Sequence, residues 1–216
     1  MTEAIKELIV KVFGNNAWLG ILIIAMIPLI ELRGAIPFAL GGAWAGKITW
    51  FQAYSSSVIG ATIPAIVIIP LLIPVFNALK KTKVFKKLVE KLDEKFSRNS
   101  AKIENSVVDV NSERKKELKK FWGVLTFVAL PIPLTGAWTG SAVAAYLKMG
   151  FGKGLLAVFL GNMISGAIMT TLCVLFPTAV DAILYAFLGL VVLVILVAII
   201  TMFVKRKKQV PEAPVV

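Results

Sequence analysis

Apolar residues in this chain gather in long continuous blocks rather than in the alternating or one-in-three patterns of a soluble fold. The first sixteen residues are the exception. Ile5, Leu8, Ile9, Val12 and Phe13 recur at helical spacing, which predicts an amphipathic helix over 1–16 lying along a membrane surface. Five blocks follow. Phe51 to Phe76, Gly154 to Phe176 and Ala182 to Val204 each reach the ~20 residues that a helix needs to cross ~30 Å of hydrocarbon. Trp18 to Ala45 and Phe121 to Leu147 are longer but interrupted at their centres. Each divides into arms of about a dozen residues, too short to span and suited to a re-entrant segment. The predicted organisation is therefore a first repeat over 17–76 (hairpin 18–45, transmembrane helix 51–76) and a second over 121–176 (hairpin 121–147, transmembrane helix 154–176). A further transmembrane helix covers 182–204.

The interruptions have identifiable causes. Pro37 lacks an amide hydrogen and its ring opposes the carbonyl of Arg33, and Gly34 loosens the same stretch, so the first break is expected over Glu31–Pro37. Pro131, Pro133 and Gly136 place the second break over Leu130–Gly136. Backbone freed at membrane depth must be buried in protein or face a wet cavity, because lipid offers it no hydrogen bonds.

Charge orients the blocks. Fourteen Lys or Arg residues lie between Asn77 and Lys120, and the tail after Val204 opens Lys205-Arg206-Lys207-Lys208; both belong in the cytoplasm by the positive-inside rule. By parity, 154–176 then starts inside and 51–76 starts outside. The second hairpin must enter from the cytoplasm and return to it, and the first enters from the outer face. An internal match supports this plan: Arg33-Gly34-Ala35-Ile36 aligns with Thr135-Gly136-Ala137-Trp138 and, after one residue of slippage, Gly60 with Gly161. Halves entering from opposite faces make an inverted repeat, an architecture that sets a binding site near the midplane.

Composition agrees and narrows the function. Of 216 residues 58% are hydrophobic, and mean hydropathy is +0.84, which makes the chain an integral membrane protein; with the block pattern, an all-α, multi-pass protein of the plasma membrane is expected. The net charge of +12 sits outside the apolar blocks, so it reads as a topology signal rather than as a nucleic-acid surface. In the basic stretch 77–120, Val84, Phe85, Leu88, Val89 and Leu92 form a stripe beside Lys86, Lys87, Lys91 and Lys95, fitted to anionic inner-leaflet lipids. Residues 209–216, after the basic run, have the composition of a disordered tail. Glu3 and Glu7 balance Lys6 and Lys11, and Glu-Leu-Arg follows the first apolar run, so a cleaved signal peptide is not expected. The single cysteine, Cys173, excludes an intrachain disulfide. With no histidine in the chain, histidine-based catalysis and His-ligated metals are excluded. No enzyme activity, cofactor or metal is expected, and a homo-oligomer is compatible with the pattern.

Chemistry concentrates at Glu31 and Arg33. A charge at bilayer depth costs about 2.5–3.5 kcal/mol on insertion scales, so two together call for a reason. Either they form a buried pair that holds the hairpin tip, or they serve transport: Arg33 receives an anionic group such as phosphate and Glu31 carries a coupling proton. Opposite them the second hairpin offers neutral groups, namely Thr135, Gly136, Trp138, Thr139 and Ser141, with Asn162 on the following helix. The hydroxyls of Thr135 and Thr139 have an ordinary alternative in their own helix backbone. The primary amide of Asn162, in an apolar span, must find a partner. The transport candidates are thus Glu31, Arg33, Gly34, Pro37, Pro131, Pro133, Thr135, Gly136, Thr139 and Asn162, acting on a lipid-phosphate or a small molecule.

The run Glu31-Leu32-Arg33-Gly34-Ala35-Ile36-Pro37 resembles the signature of the small multi-drug export proteins, a likeness that extends from about Trp18 to Phe176. That family is in turn similar to the DedA, or VTT-domain, superfamily. The resemblance implies two re-entrant hairpins in inverted repeat and proton-coupled transport or flipping of phosphate-bearing lipids, with small cationic drug export or a non-transporting scaffold as alternatives. DedA proteins typically carry arginine in the second hairpin, whereas Pro131 to Gly136 here contains no basic residue.

Overall fold

The computed structural model describes Lys11, Phe13, residues 16–42, 44–79, 110–132 and 135–180, and a set of helical positions between 182 and 201. Among these residues every element is helical and no strand occurs. In order they are α1 (Ala17–Met26), α2 (Glu31–Gly41), α3 (Trp50–Leu79), α4 (Val110–Ala129), α5 (Ala137–Tyr146) and α6 (Phe151–Leu175), followed by a short 3-10 turn, Pro177–Ala179. Most of the predicted surface helix over 1–16, most of the basic stretch, most of 182–204 and all of the tail lie outside the described residues.

Local sequence accounts for the ends of α1. Asn16 caps its start, Oδ1 accepting the Leu19 amide at 3.2 Å. Pro28 ends it, because the residue before a proline is driven out of the helical region, and Ile27 is extended (ψ 127°).

This corrects the expected position of the first break. The chain is unwound over Ile27–Ile30, and α2 then runs without interruption from Glu31 through Pro37 to Gly41. Gly34 lies inside it as an ordinary helical residue, its amide bonded to the Ile30 carbonyl at 2.9 Å. Likewise α3 continues through Pro64, Pro70 and Pro74. In an apolar surrounding, unwinding exposes several backbone groups to no partner while a proline removes only one bond, so the helix persists. The second break falls where expected, between Ala129 and Ala137. Its first arm is longer than expected, because α4 begins at Val110 within the basic stretch.

Among the described residues two helices are long and apolar enough to cross a membrane, Trp50–Val75 and Phe151–Leu175. They carry outward-facing Ile66, Val67, Leu71, Leu156, Ile164 and Leu172, an exterior suited to lipid rather than water. They pack antiparallel. Tyr54 donates to the Met163 carbonyl at 3.3 Å and Asn162 to Thr62 at 3.0 Å, while a Cβ on Gly154 would stand 3.5 Å from Ile69.

Each hairpin occupies one end of this pair. Gly20 lies against Trp44 in the link before α3, and a Cβ on Gly60 would overlap the Leu22 carbonyl. The first hairpin therefore sits where α3 begins. Glu117 of α4 bonds Lys153 at 3.2 Å, and a Cβ on Gly154 would stand 3.3 Å from Ala144 of α5. The second hairpin therefore sits where α6 begins.

Two apolar cores result. One joins α1 and α2 to Ala53, Ala61, Met169 and Cys173; the other joins α4 and α5 to Ala65, Ile69, Ala157 and Val158. The residues between these sets, Thr62 on α3 and Asn162 and Ser165 on α6, form part of a polar waist.

Candidate functional site

At this waist the two hairpin breaks meet. Glu31 opens α2 with φ 49°, two residues after Leu29 at φ 73°. Left-handed backbone in non-glycine residues costs of order 1–3 kcal/mol each and persists only where the surroundings hold it. Here the departure from helical geometry lets Glu31 and Arg33 pair although they are two positions apart. Arg33 Nη1 donates to Glu31 Oε2 at 2.7 Å, and the two side chains are only 2% and 7% exposed respectively.

Both members also reach across to the second hairpin. Arg33 Nη2 donates to the carbonyls of Val128 at 2.9 Å and Leu130 at 2.8 Å, with the Thr135 hydroxyl at 3.3 Å. These carbonyls belong to the C-terminal end of α4, where a helix presents unpaired acceptors and partial negative charge. Glu31 Oε1 accepts the Trp138 amide at 3.2 Å at the opposite pole, the N-terminus of α5, where carboxylates are favoured. One ion pair thus closes both ends of the second break. Trp138 returns the service, its ring Nε1 donating to the Met26 carbonyl at the end of α1 at 3.2 Å.

Room for the carboxylate comes from Gly136. A Cβ there would coincide with the Glu31 carboxyl group. Gly60 and Gly161 each stand against a backbone carbonyl. Where Gly60 meets the Leu22 carbonyl, a Cβ on Gly161 would stand 2.9 Å from the Leu125 carbonyl.

Of the predicted site residues, Glu31, Arg33, Thr135 and Gly136 are brought together, and Trp138 joins them. Pro131 stands in the second break. Pro133 lies outside the described residues. Gly34 and Pro37 are buried within α2 and shape no break. Thr139 bonds the Gly136 carbonyl of its own helix at 3.2 Å. Asn162 stands apart from the ion pair, its Nδ2 on Thr62 and its Oδ1 buried without a protein partner. Sequence reasoning overlooked Pro28, which sets the break, and Thr62, the hydroxyl that answers Asn162. The first was legible in the Ile27-Pro28 step. A groove of about 410 Å³ lies away from the pair, between Trp50, Phe51 and Tyr54 of α3 and Thr170, Thr171 and Val174 of α6.

Among the described residues no group of acidic, cysteine or histidine side chains could hold a metal ion. Apolar side chains outside and one charge pair inside define a small integral membrane protein, built from broken helices tied together at their breaks. The chain belongs to the family described as "Putative small multi-drug export protein", whose model matches residues 31–168. No curated protein and no solved structure matches it.

Proposed function

We propose that this chain is a proton-coupled secondary transporter whose substrate carries an anionic group, and that Glu31 holds the place of that group in the resting state. The observation that supports this most directly is the cradle around the carboxylate. A guanidinium, a helix N-terminus and a glycine with no side chain to obstruct it make an anion site, occupied here by the protein's own Glu31.

The cycle follows from charge. With Glu31 ionised the pair is neutral and both ends of the second break are closed. When Glu31 takes a proton, its attraction for Arg33 and for the α5 terminus weakens, and the site is left with the positive charge of Arg33. An anionic head group restores neutrality. Breaking a buried pair is worth about 3–5 kcal/mol, equivalent to roughly two to four orders of magnitude in affinity, so proton and anion binding are linked.

On this reading the hairpins are re-entrant arms of an inverted repeat. The first enters from outside, the second from the cytoplasm, and the basic stretch 77–120 and the C-terminus lie in the cytoplasm over anionic lipid. Phosphate-bearing lipids and small organic anions share the required chemistry. The protein performs no covalent step and takes no cofactor.

A second reading, export of small organic cations, draws on the family description and on the groove beside Trp50, Phe51 and Tyr54, whose rings suit a cation. Proteoliposomes with an entrapped pH dye decide between them. Anion-dependent proton movement is expected for the natural chain and is lost in Glu31→Gln and Arg33→Ala variants that still elute as folded protein. Cation-driven proton movement that requires Glu31 but survives loss of Arg33 would favour drug export. If neither ion moves protons, the hairpins are packing devices of a scaffold.

A further inference from the structure

Four oxygen-bearing side chains in and beside the α3–α6 seam are buried without a protein partner: Ser57 Oγ, Asn162 Oδ1, Ser165 Oγ and Thr170 Oγ1. The first three residues are fully buried and Thr170 is 6% exposed. Back-bonding to the helix is the usual resource of such hydroxyls, and their neighbours on α3 use it. Ser56 bonds the Gln52 carbonyl at 2.7 Å and Thr62 that of Val58 at 2.7 Å. The four do not.

The three on α6 form a line. Asn162, Ser165 and Thr170 share the buried face of α6 with Met169 and span about 12 Å at 1.5 Å per residue. The lower end lies at the waist, since a Cβ on the adjacent Gly161 would meet Val128 at 2.7 Å, and the Val128 carbonyl accepts from Arg33. At the upper end Thr170 lines the groove with Trp50 and Tyr54. A dry seam of small residues would leave all four oxygens without a partner, whereas a buried water makes about three hydrogen bonds.

We propose that a water-filled half-channel leads from the groove at Tyr54 and Thr170, past Ser165, to Asn162 at the level of the Glu31–Arg33 pair. Its ligand is water. That this water delivers the proton to Glu31 rests on the transport reading; the half-channel itself does not.

Cysteine accessibility tests it without substrate or gradient. Starting from Cys173→Ala, which removes the single native thiol, Ser57→Cys, Ser165→Cys and Thr170→Cys are made in the full chain in lipid nanodiscs. They are exposed to a small charged methanethiosulfonate, which reacts with hydrated thiolate. Labelling at Ser165 and Thr170 is expected on the order of tenfold faster than at lipid-facing Leu172→Cys or core Ala157→Cys, because thiolates form poorly in apolar surroundings. Rates as slow as those controls would overturn the half-channel. Radiolytic footprinting of the unaltered chain guards against misfolded variants: Met169, on the channel face, should oxidise several-fold more than Met149, buried in the other core. Equal protection of both would also count against it. Either failure leaves the proton-coupling assay unaffected, so the two readings fall separately.

Discussion

Gly136 and Glu31 are in such close contact that the glycine's missing side chain is the space the carboxylate fills. Gly136→Ala should therefore displace the carboxylate from the α5 terminus and disturb the whole pair. Overpacking of this kind costs about 1–3 kcal/mol, with up to about 3–5 kcal/mol if the ion pair is broken outright. Thermal unfolding in detergent, followed by tryptophan fluorescence, should show a clear loss. Gly152→Ala is the matched control. Nothing lies within 4 Å of a Cβ there, and alanine in a helix should hold or raise stability by about 0.5–1 kcal/mol.

Arg33 serves one carboxylate and two helix-end carbonyls at once, through two separate nitrogens. Lysine has a single nitrogen and no fork. Arg33→Lys should keep the charge yet lose much of the stability, with Arg33→Ala losing about 3–5 kcal/mol. The Arg33→Met, Glu31→Gln double variant should lose less than the sum of the single ones, because no unpaired charge remains buried. A thermal double-mutant cycle measures this, and strict additivity would contradict the pairing.

Thr62→Val removes the hydroxyl that accepts from the Asn162 amide. The buried Nδ2 is then unsatisfied, at a cost of about 1–3 kcal/mol. The replacement keeps shape, so the change in melting temperature reports the hydrogen bond. Thr201→Val, outside the waist and exposed, should alter it little.

Outside the apolar segments, Glu117 accepts from Lys120 at 3.0 Å and Lys153 at 3.2 Å, and these hydrogen bonds hold its carboxyl below the usual range. The folded state thus binds the proton more weakly than the unfolded one. The stabilisation is present above the ordinary carboxylate pKa of about 4.3 and is lost as pH falls through that range and below. Since these side chains are partly exposed, the effect is small and screened by salt. Melting curves at falling pH should show an acid-side loss that Glu117→Gln diminishes, more clearly at low ionic strength.

Much of this was legible in the residues. Block lengths point to the two helices long and apolar enough to cross a membrane, and the residue types at the two interruptions single out Glu31, Arg33, Thr135 and Gly136 as one group. The first break was misplaced because two prolines compete for it. Pro28 and Pro37 obey the same rule, but Pro28 lies where both flanking arms can satisfy their ends through Trp138 and the left-handed turn at Leu29 and Glu31. Trp138 comes from the other half of the chain, and no local pattern announces it. The same is true of the Val128 and Leu130 carbonyls, since backbone acceptors carry no sequence signature.

The bond from Trp138 to Glu31 spans 107 positions, which has a bearing on biogenesis. A nascent chain emerging from its N-terminus presents an acid and a base well before the residues that close around them have been synthesised. The early half must wait, sheltered by the insertion machinery or by its own local pair. Separately expressed halves should accordingly be poor substrates for independent insertion and should rescue one another when produced together.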